Sequence, residues 1–198
     1  MAGETSRVIS LATVRRALQD HRPHEVDAPE ARPAAVALVL LEGPRGLEIL
    51  LIRRAERADD PWSGQIALPG GRYGVGDRDL EATAVRETRE ETGVDLAGAE
   101  RLGVLDDLHP RTPTLPPVVV RPFVFALARR AALVPSDEVQ RAFWLPLARL
   151  SEPHVRREVS LTLHGAVRTF PAYLVDDDVI WGMTERILTP FVELVARL

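Results

Sequence analysis

The chain has 198 residues, 45% of them apolar, which suits one globular unit with a sizeable core. Its formal charge of −4 gives no attraction to nucleic acid or to a membrane surface. Cysteine and lysine are both absent, so all 25 basic residues are Arg. Disulfides, thiolate ligands, cysteine nucleophiles, a P-loop lysine and Schiff-base chemistry are excluded. Any phosphate clamp must come from Arg, backbone N–H groups or a metal. The first ten residues lack a long apolar stretch, and no apolar run reaches membrane length. With no cysteine, these features suit a cytoplasmic home.

Ser6 to Gln19 is predicted to be an amphipathic helix, because Val8, Leu11, Val14 and Leu18 recur at helical spacing. Residues 20–33, DHRPHEVDAPEARP, read as a polar, proline-bearing linker. That divides the chain into a helix and linker at 1–33 and a main domain at 34–198. The helix can dock on a second copy, giving a homodimer, or cap its own sheet. AAVALVLLE (34–42) reads as a buried strand, and LEILLIRR (47–54) returns from it across the turn GPRG. QIALPGG is a short strand running into a Pro-Gly-Gly break. Asp79 to Thr92 follows as a helix, with Asp77 and Asp79 as N-cap candidates and Gly93 placed to end it.

LGVLDDLH (102–109) and PPVVVRPFVFALA (116–128) are further strands. PSDEVQRAFWLPLARL (135–150) begins polar and ends in an apolar strand with a turn. RTFPAYLVDDDVIWG (168–182) reads as a last hairpin, its tip carrying solvated Asp176, Asp177 and Asp178. Met183 to Leu198 closes the chain as a helix with Ile187, Phe191, Leu194 and Val195 on one face. Strands and helices mix without strict alternation, which points to an α/β fold with a mixed sheet and helices packed on it.

The run VRETREETG (85–93) carries the chemistry. On a helix, Glu87, Glu90 and Glu91 stand at i, i+3 and i+4, so their carboxylates share one face. Three like charges there repel, and a hard divalent cation would turn that repulsion into binding. A solvated helix face with Arg–Glu pairs is the competing explanation, and Arg86–Glu90 has the spacing for one. The five histidines lack a zinc-like spacing.

The segment PGGRYGVGDRDLEATAVRETREETGV resembles the Nudix box, a Gly, a Glu and then Arg-Glu-apolar-x-Glu-Glu-x-Gly-apolar. The resemblance implies an α/β/α sandwich that hydrolyses nucleoside diphosphates linked to another group, using Mg²⁺ or Mn²⁺. Carried across position by position, Glu87, Glu90 and Glu91 match the metal-binding glutamates. Arg86 matches the arginine that orients them, and Gly71 the loop glycine whose carbonyl joins the metal shell. Two positions depart from the pattern. The first Glu falls on Arg78, with Asp77 the nearest acid, and Thr88 stands at an apolar position.

The spacing is similar to that of coenzyme A pyrophosphatases, in which Asp77, Thr83, Ala84, Arg86 and Glu87 find counterparts. Val85 and Gly74 are replacements. Near the C-terminus, FPAYLVDDDVIWGMTERIL resembles that branch's Ile-Trp-Gly-x-Thr segment. The implied reaction is hydrolysis of coenzyme A or an acyl form to 3′,5′-ADP and 4′-phosphopantetheine. The alternatives are ADP-ribose or another nucleotide sugar or dinucleotide as substrate, or a non-catalytic nucleotide-binding module, which would be expected to lose box glutamates. Some Nudix relatives take a base from a loop placed like Glu138, whose other reading is a solvated loop acid or helix cap. Arg53, Arg54, Arg57 and Arg72 flank the expected site, where a substrate 3′-phosphate would suit one or two of them and the others read as solvated arginines; Arg53 and Arg54 alternate around a strand, so one of them faces the cleft. Trp62, Trp144 and Trp181 each read either as core packing or as a stacking surface for a base, and Trp62, in a polar loop beside the site, has the best claim to stacking.

Overall fold

The apolar run at 34–42 becomes the middle of strand β1 (Arg32–Gly43), the centre of the main sheet. The computed structural model describes residues 9–57, 63–110, 116–163 and 165–197. The predicted hairpin forms with β2 (Gly46–Arg54), and Gly46 supplies a left-handed φ of 92° in the turn. On its other edge β1 runs parallel to β6 (Val118–Leu127), from Arg32 opposite Val118 to Leu41 opposite Leu127. The sheet is therefore mixed, in the order β3-β2-β1-β6-β5, with β3 at Ile66–Ala67 and β5 at Glu100–Val104.

One edge of β1 serves two partners. Residues 40–43 pair with β2, whereas 34–36 pair with β4 (Gly70–Arg72). Farther along, the same edge of β2 passes to β3 at Ile52 and Arg53, while its other edge pairs with β7 (Val139–Pro146) from Glu48 to Arg54. The sheet forks there, and the fork opens a cleft.

Both faces of β1 are covered, which is why it reads as a continuous apolar run rather than an alternation. Ala35, Ala37 and Val39 meet helix α2 (Leu80–Thr92) through Ala84, and the small side chains let that helix lie close. Leu38 and Leu40 face α1 (Leu11–Asp20) and α3 (Met183–Ala196), with Val14, Leu18, Leu188 and Phe191 in the same core. The layers are thus helix, sheet, helix. No helix among the described residues is long and apolar enough to cross a membrane.

Several expectations shift. α1 begins at Leu11 rather than Ser6, because Ser10 is its N-cap and accepts from the Thr13 N–H at 3.2 Å. Residues 6–8 of the predicted helix lie outside the described residues. α1 caps its own sheet, with Leu18 against Gly103, so it shares the core of the domain from which the linker was expected to separate it. The linker itself is strapped down: Asp106 and Asp107 accept from the His24 and Val26 N–H groups. The strand expected at 102–109 leaves the ladder after Val104, and only Leu108 returns, bridging Val120.

Strand β8 (Arg156–Leu163) has no counterpart in the sequence expectations. It pairs with the predicted final hairpin, β9 (Ala166–Val175) and β10 (Asp178–Trp181), to form a second, three-stranded sheet. At the hairpin tip the acidic triplet divides. Asp176 takes the left-handed turn conformation, while Asp178 is buried against Arg141, with Arg53 Nη1 at 3.6 Å. Asp178 is therefore a structural ion-pair partner, not a solvated tip acid.

Candidate active site

Asp79 alone caps α2, its carboxylate accepting from the Ala82 N–H at 2.8 Å. At the other end Gly93 adopts a φ of 75°, and its N–H donates to the Arg89 carbonyl, as its position predicted. Asp77, the second cap candidate, does different work. Its carboxylate accepts from Arg86 Nε and Nη2 at 2.8 and 2.9 Å, from the Gly74 N–H at 2.9 Å and from the Thr83 hydroxyl at 2.8 Å. The Arg86 hydrogen bonds hold the Asp77 carboxyl well below the usual carboxylate range and raise Arg86 in turn. Asp77→Ala is expected to cost about 2–4 kcal/mol in chemical denaturation, because it strands the Gly74 and Thr83 donors and the Arg86 Nε and Nη2 donors that Asp77 accepts. A change below 0.5 kcal/mol would mean that this network does not support the loop.

From that anchor Arg86 reaches forward. Nη1 donates to Glu87 Oε1 at 2.8 Å and to Glu90 Oε2 at 2.9 Å. Glu87 and Glu91, one turn apart, both face the Gly70–Gly71 loop and line the cleft. Glu90 leans back to Arg86, its side chain 58% exposed, and lies outside the residues lining that cleft. The three-carboxylate face expected from spacing is therefore two convergent carboxylates with a third beside them. Among the described residues no ready-made cage of three metal-ligating side chains forms.

The loop is shaped around these two acids. A Cβ on Gly71 would come within 2.4 Å of the Glu87 carboxylate, so glycine is what admits that side chain. The Gly70 N–H donates to Glu91 Oε2 at 2.8 Å. Burial dominates the electrostatics of both acids. It raises the Glu87 carboxyl against the pull of Arg86, and it pushes Glu91 up to about 7 despite the Gly70 hydrogen bond, with Glu87 adding repulsion. Two coupled, desolvated carboxylates beside exposed backbone suit a hard divalent cation, which takes one or two carboxylates and fills its remaining positions with other oxygens.

The other predicted residues separate cleanly. Arg54 and Glu138 line the cleft, and both act electrostatically on Glu91. Glu138 also pairs loosely with Arg57, at 3.4 Å. Arg53 points the opposite way, toward Asp178, as strand alternation requires. Arg72 lines the cleft mouth, and its carbonyl accepts from Arg86 Nη2 at 3.3 Å. Trp62 lies outside the described residues. Trp144 and Trp181 pack instead, under Arg130 and against Phe170. Sequence reasoning missed Arg32, Met183 and Thr184, which also line the cleft. Arg32 was hidden in the supposed linker, and the other two in the start of the closing helix.

The cleft has a volume of about 460 Å³. Its wall opposite the glutamates is apolar, formed by Val36, Val118, Val120, Met183 and Ile187.

Comparison with known proteins agrees with this architecture. The NUDIX domain profile matches residues 31–163. An uncharacterized protein of Schizosaccharomyces pombe is 36% identical over 132 residues, which is 64% of this chain but 40% of that protein. The human mitochondrial coenzyme A diphosphatase NUDT8 is 34% identical over 170 residues, covering 84% of this chain and 71% of its own. Among solved structures, a MutT/nudix family protein from Enterococcus faecalis superposes with a TM-score of 0.57 at 22% identity, covering 96% of this chain and 71% of its own. The glutamate helix, the glycine loop and the aligned relatives converge, and this chain belongs to the Nudix hydrolase family, on its coenzyme A pyrophosphatase-like branch, as a pyrophosphohydrolase of phosphorus-containing anhydrides.

Proposed function

We propose that the protein hydrolyses the pyrophosphate bond of coenzyme A or an acyl-coenzyme A in a divalent-metal-dependent reaction, giving 3′,5′-ADP and 4′-phosphopantetheine. The observation that carries the hydrolytic reading is the pair of buried carboxylates, Glu87 and Glu91, set against the Gly70–Gly71 backbone. The human relative's name, over 84% of this chain, supports the substrate.

Glu87 and Glu91, with the Gly71 carbonyl, would hold Mg²⁺ or Mn²⁺. Glu90, kept beside Glu87 by the shared Arg86 Nη1, is the third carboxylate of the set. The bound ion supplies charge neutralisation of the phosphate oxygens and a more acidic water. The chain's own residues supply the remainder. Arg86, pinned by Asp77, fixes the Glu87 rotamer before substrate arrives, so little reorganisation is left for the reaction. Arg54 faces the same space as Glu91 and suits a non-bridging phosphate oxygen. Glu138 lines the cleft with a largely exposed carboxylate, and in this reading it would accept the proton of the attacking water. The apolar wall of Val118, Val120, Met183 and Ile187 excludes water and matches the uncharged part of such a substrate.

A substrate panel tests this reading. Coenzyme A, acetyl-coenzyme A, ADP-ribose and NADH are each incubated with Mg²⁺ and with Mn²⁺, and products are identified by mass. The expected result is 3′,5′-ADP from the coenzyme A forms at the highest kcat/KM. Faster turnover of ADP-ribose, with coenzyme A untouched, would sink the substrate assignment and leave the carboxylate site standing.

A further inference from the structure

The cleft has two chemically distinct sides. Glu87, Glu91, Glu138 and Arg54 gather where α2 and β7 meet the fork in the sheet. Two further arginines, Arg32 and Arg72, line the cleft as well. In the β1–β4 ladder Arg72 stands directly opposite Ala34, and Arg32 is two residues before Ala34 on the same strand. Strand alternation therefore puts Arg32 and Arg72 on one face of the sheet, as diagonal neighbours with Cβ atoms about 7 Å apart. That face is the one carrying Leu38, Val120 and α3, whereas Glu87 reaches the cleft from the α2 side.

Charge sharpens the point. Most arginines at the edges of the core are bound to carboxylates: Arg86 to Asp77, Arg121 to Asp107, Arg130 to Glu48, Arg156 to Glu185. Among the described residues neither Arg32 nor Arg72 has a side-chain partner. Among the described residues, the acids lining the cleft are the three on its other side. The nearest acid on α3, Glu185, is buried and committed to Arg156 and Thr189. Two unneutralised guanidinium groups on one face, at the mouth of a nucleotide cleft, are suited to an anion with several acceptor oxygens.

We propose that Arg32 and Arg72 form a clamp for a phosphomonoester carried on the ribose of the nucleotide, separate from the pyrophosphate that is cut, and so determine specificity. This deepens the coenzyme A reading and rests on it, since the 3′-phosphate of that substrate is such a group. The clamp acts on binding and position, not on the reacting phosphorus, so its loss falls on KM for 3′-phosphorylated substrates and leaves kcat largely in place.

The experiment measures binding of 3′,5′-ADP and of 5′-AMP, in the presence of Mg²⁺, to wild type, Arg32→Ala, Arg72→Ala and Arg32→Lys by calorimetry. Arg168→Ala, on the distant hairpin, serves as control. Coenzyme A turnover by the wild type is followed in parallel. The expected result is tighter binding of 3′,5′-ADP than of 5′-AMP by wild type. Each alanine variant should lose about 10-fold in affinity for 3′,5′-ADP, with 5′-AMP changed less than about twofold, and Arg32→Lys should recover only part of the loss. Equal losses for both ligands would move the arginines onto the shared 5′-phosphate and overturn the clamp. Unchanged binding of both ligands would overturn it too. Wild type that binds 3′,5′-ADP preferentially but leaves coenzyme A intact would remove the substrate assignment and keep the clamp.

Discussion

Glu91→Gln is expected to lower kcat on the order of 10³-fold and, at the same time, to stabilise the metal-free protein above neutral pH. The two effects have one cause. Burial pushes the Glu91 carboxyl up to about 7, so its ionised form is the state the fold disfavours. A group whose folded pKa is raised contributes its stability fully below the unfolded value and loses it as pH climbs through the folded value. Between about pH 4.5 and 7 the metal-free wild type should therefore lose roughly 2–3 kcal/mol relative to the Gln variant. Gln keeps an oxygen for the Gly70 N–H, so the loop itself is undisturbed. Thermal melts of both proteins from pH 4 to 8.5, with chelator and then with Mg²⁺, read this out. The wild-type Tm should fall relative to the variant across that window, and Mg²⁺ should restore it in the wild type alone. Parallel melting curves at every pH would show that Glu91 is neither desolvated nor a ligand.

That behaviour also explains which parts of the site were legible in the sequence. Local periodicity was enough for α2: Asp79 and Gly93 bound it, and the i, i+4 spacing aligns Glu87 with Glu91. The same rule overcounted, because it placed Glu90 on the shared face without knowing that Asp77 would pin Arg86 beside it. Asp77 itself looked like a cap candidate or a misplaced box acid. Its real partners, Gly74, Thr83 and Arg86, are three, six and nine residues away, and a loop conformation brings them together.

Long-range pairing was the harder part. REVSLTL does alternate, with Val159, Leu161 and Leu163 against Ser160 and Thr162, so the strand itself was legible there, but nothing local marks β8 as the third strand of a second sheet. Arg32 was unreadable for a related reason. Its importance comes from the register of β1 with β4, and that register is set by the packing of residues 34–41 against two helical layers. Composition, by contrast, was informative from the start. With no lysine, every cationic side chain lining the cleft is a guanidinium, the group whose planar fork suits bidentate contacts to phosphate.

Gly71→Ala should reduce kcat/KM by about 10²-fold while leaving the fold intact, and Gly70→Ala should do the reverse, costing stability first. The neighbouring glycines differ in what a Cβ would strike. At Gly71 it would lie 2.4 Å from the Glu87 carboxylate, the far end of a side chain that can rotate away. The backbone survives, but Glu87 is pushed off Arg86 and out of register with Glu91. At Gly70 the Cβ would lie 2.3 Å from the Ala35 carbonyl oxygen and 2.6 Å from the Val36 Cα, with φ at +156°, so main chain at the centre of the sheet would have to move. Urea denaturation should show Gly70→Ala destabilised by about 3 kcal/mol and Gly71→Ala within about 1 kcal/mol of wild type. Mg²⁺ titration should show weakened binding for Gly71→Ala. A double variant adds a sharper test. Glu87→Asp shortens the side chain that collides, so in the Gly71→Ala background its further cost should be smaller than in wild type, a coupling of about 1 kcal/mol in kcat/KM. Strictly additive losses would mean that the Gly71 Cβ and the Glu87 carboxylate do not meet in the working enzyme.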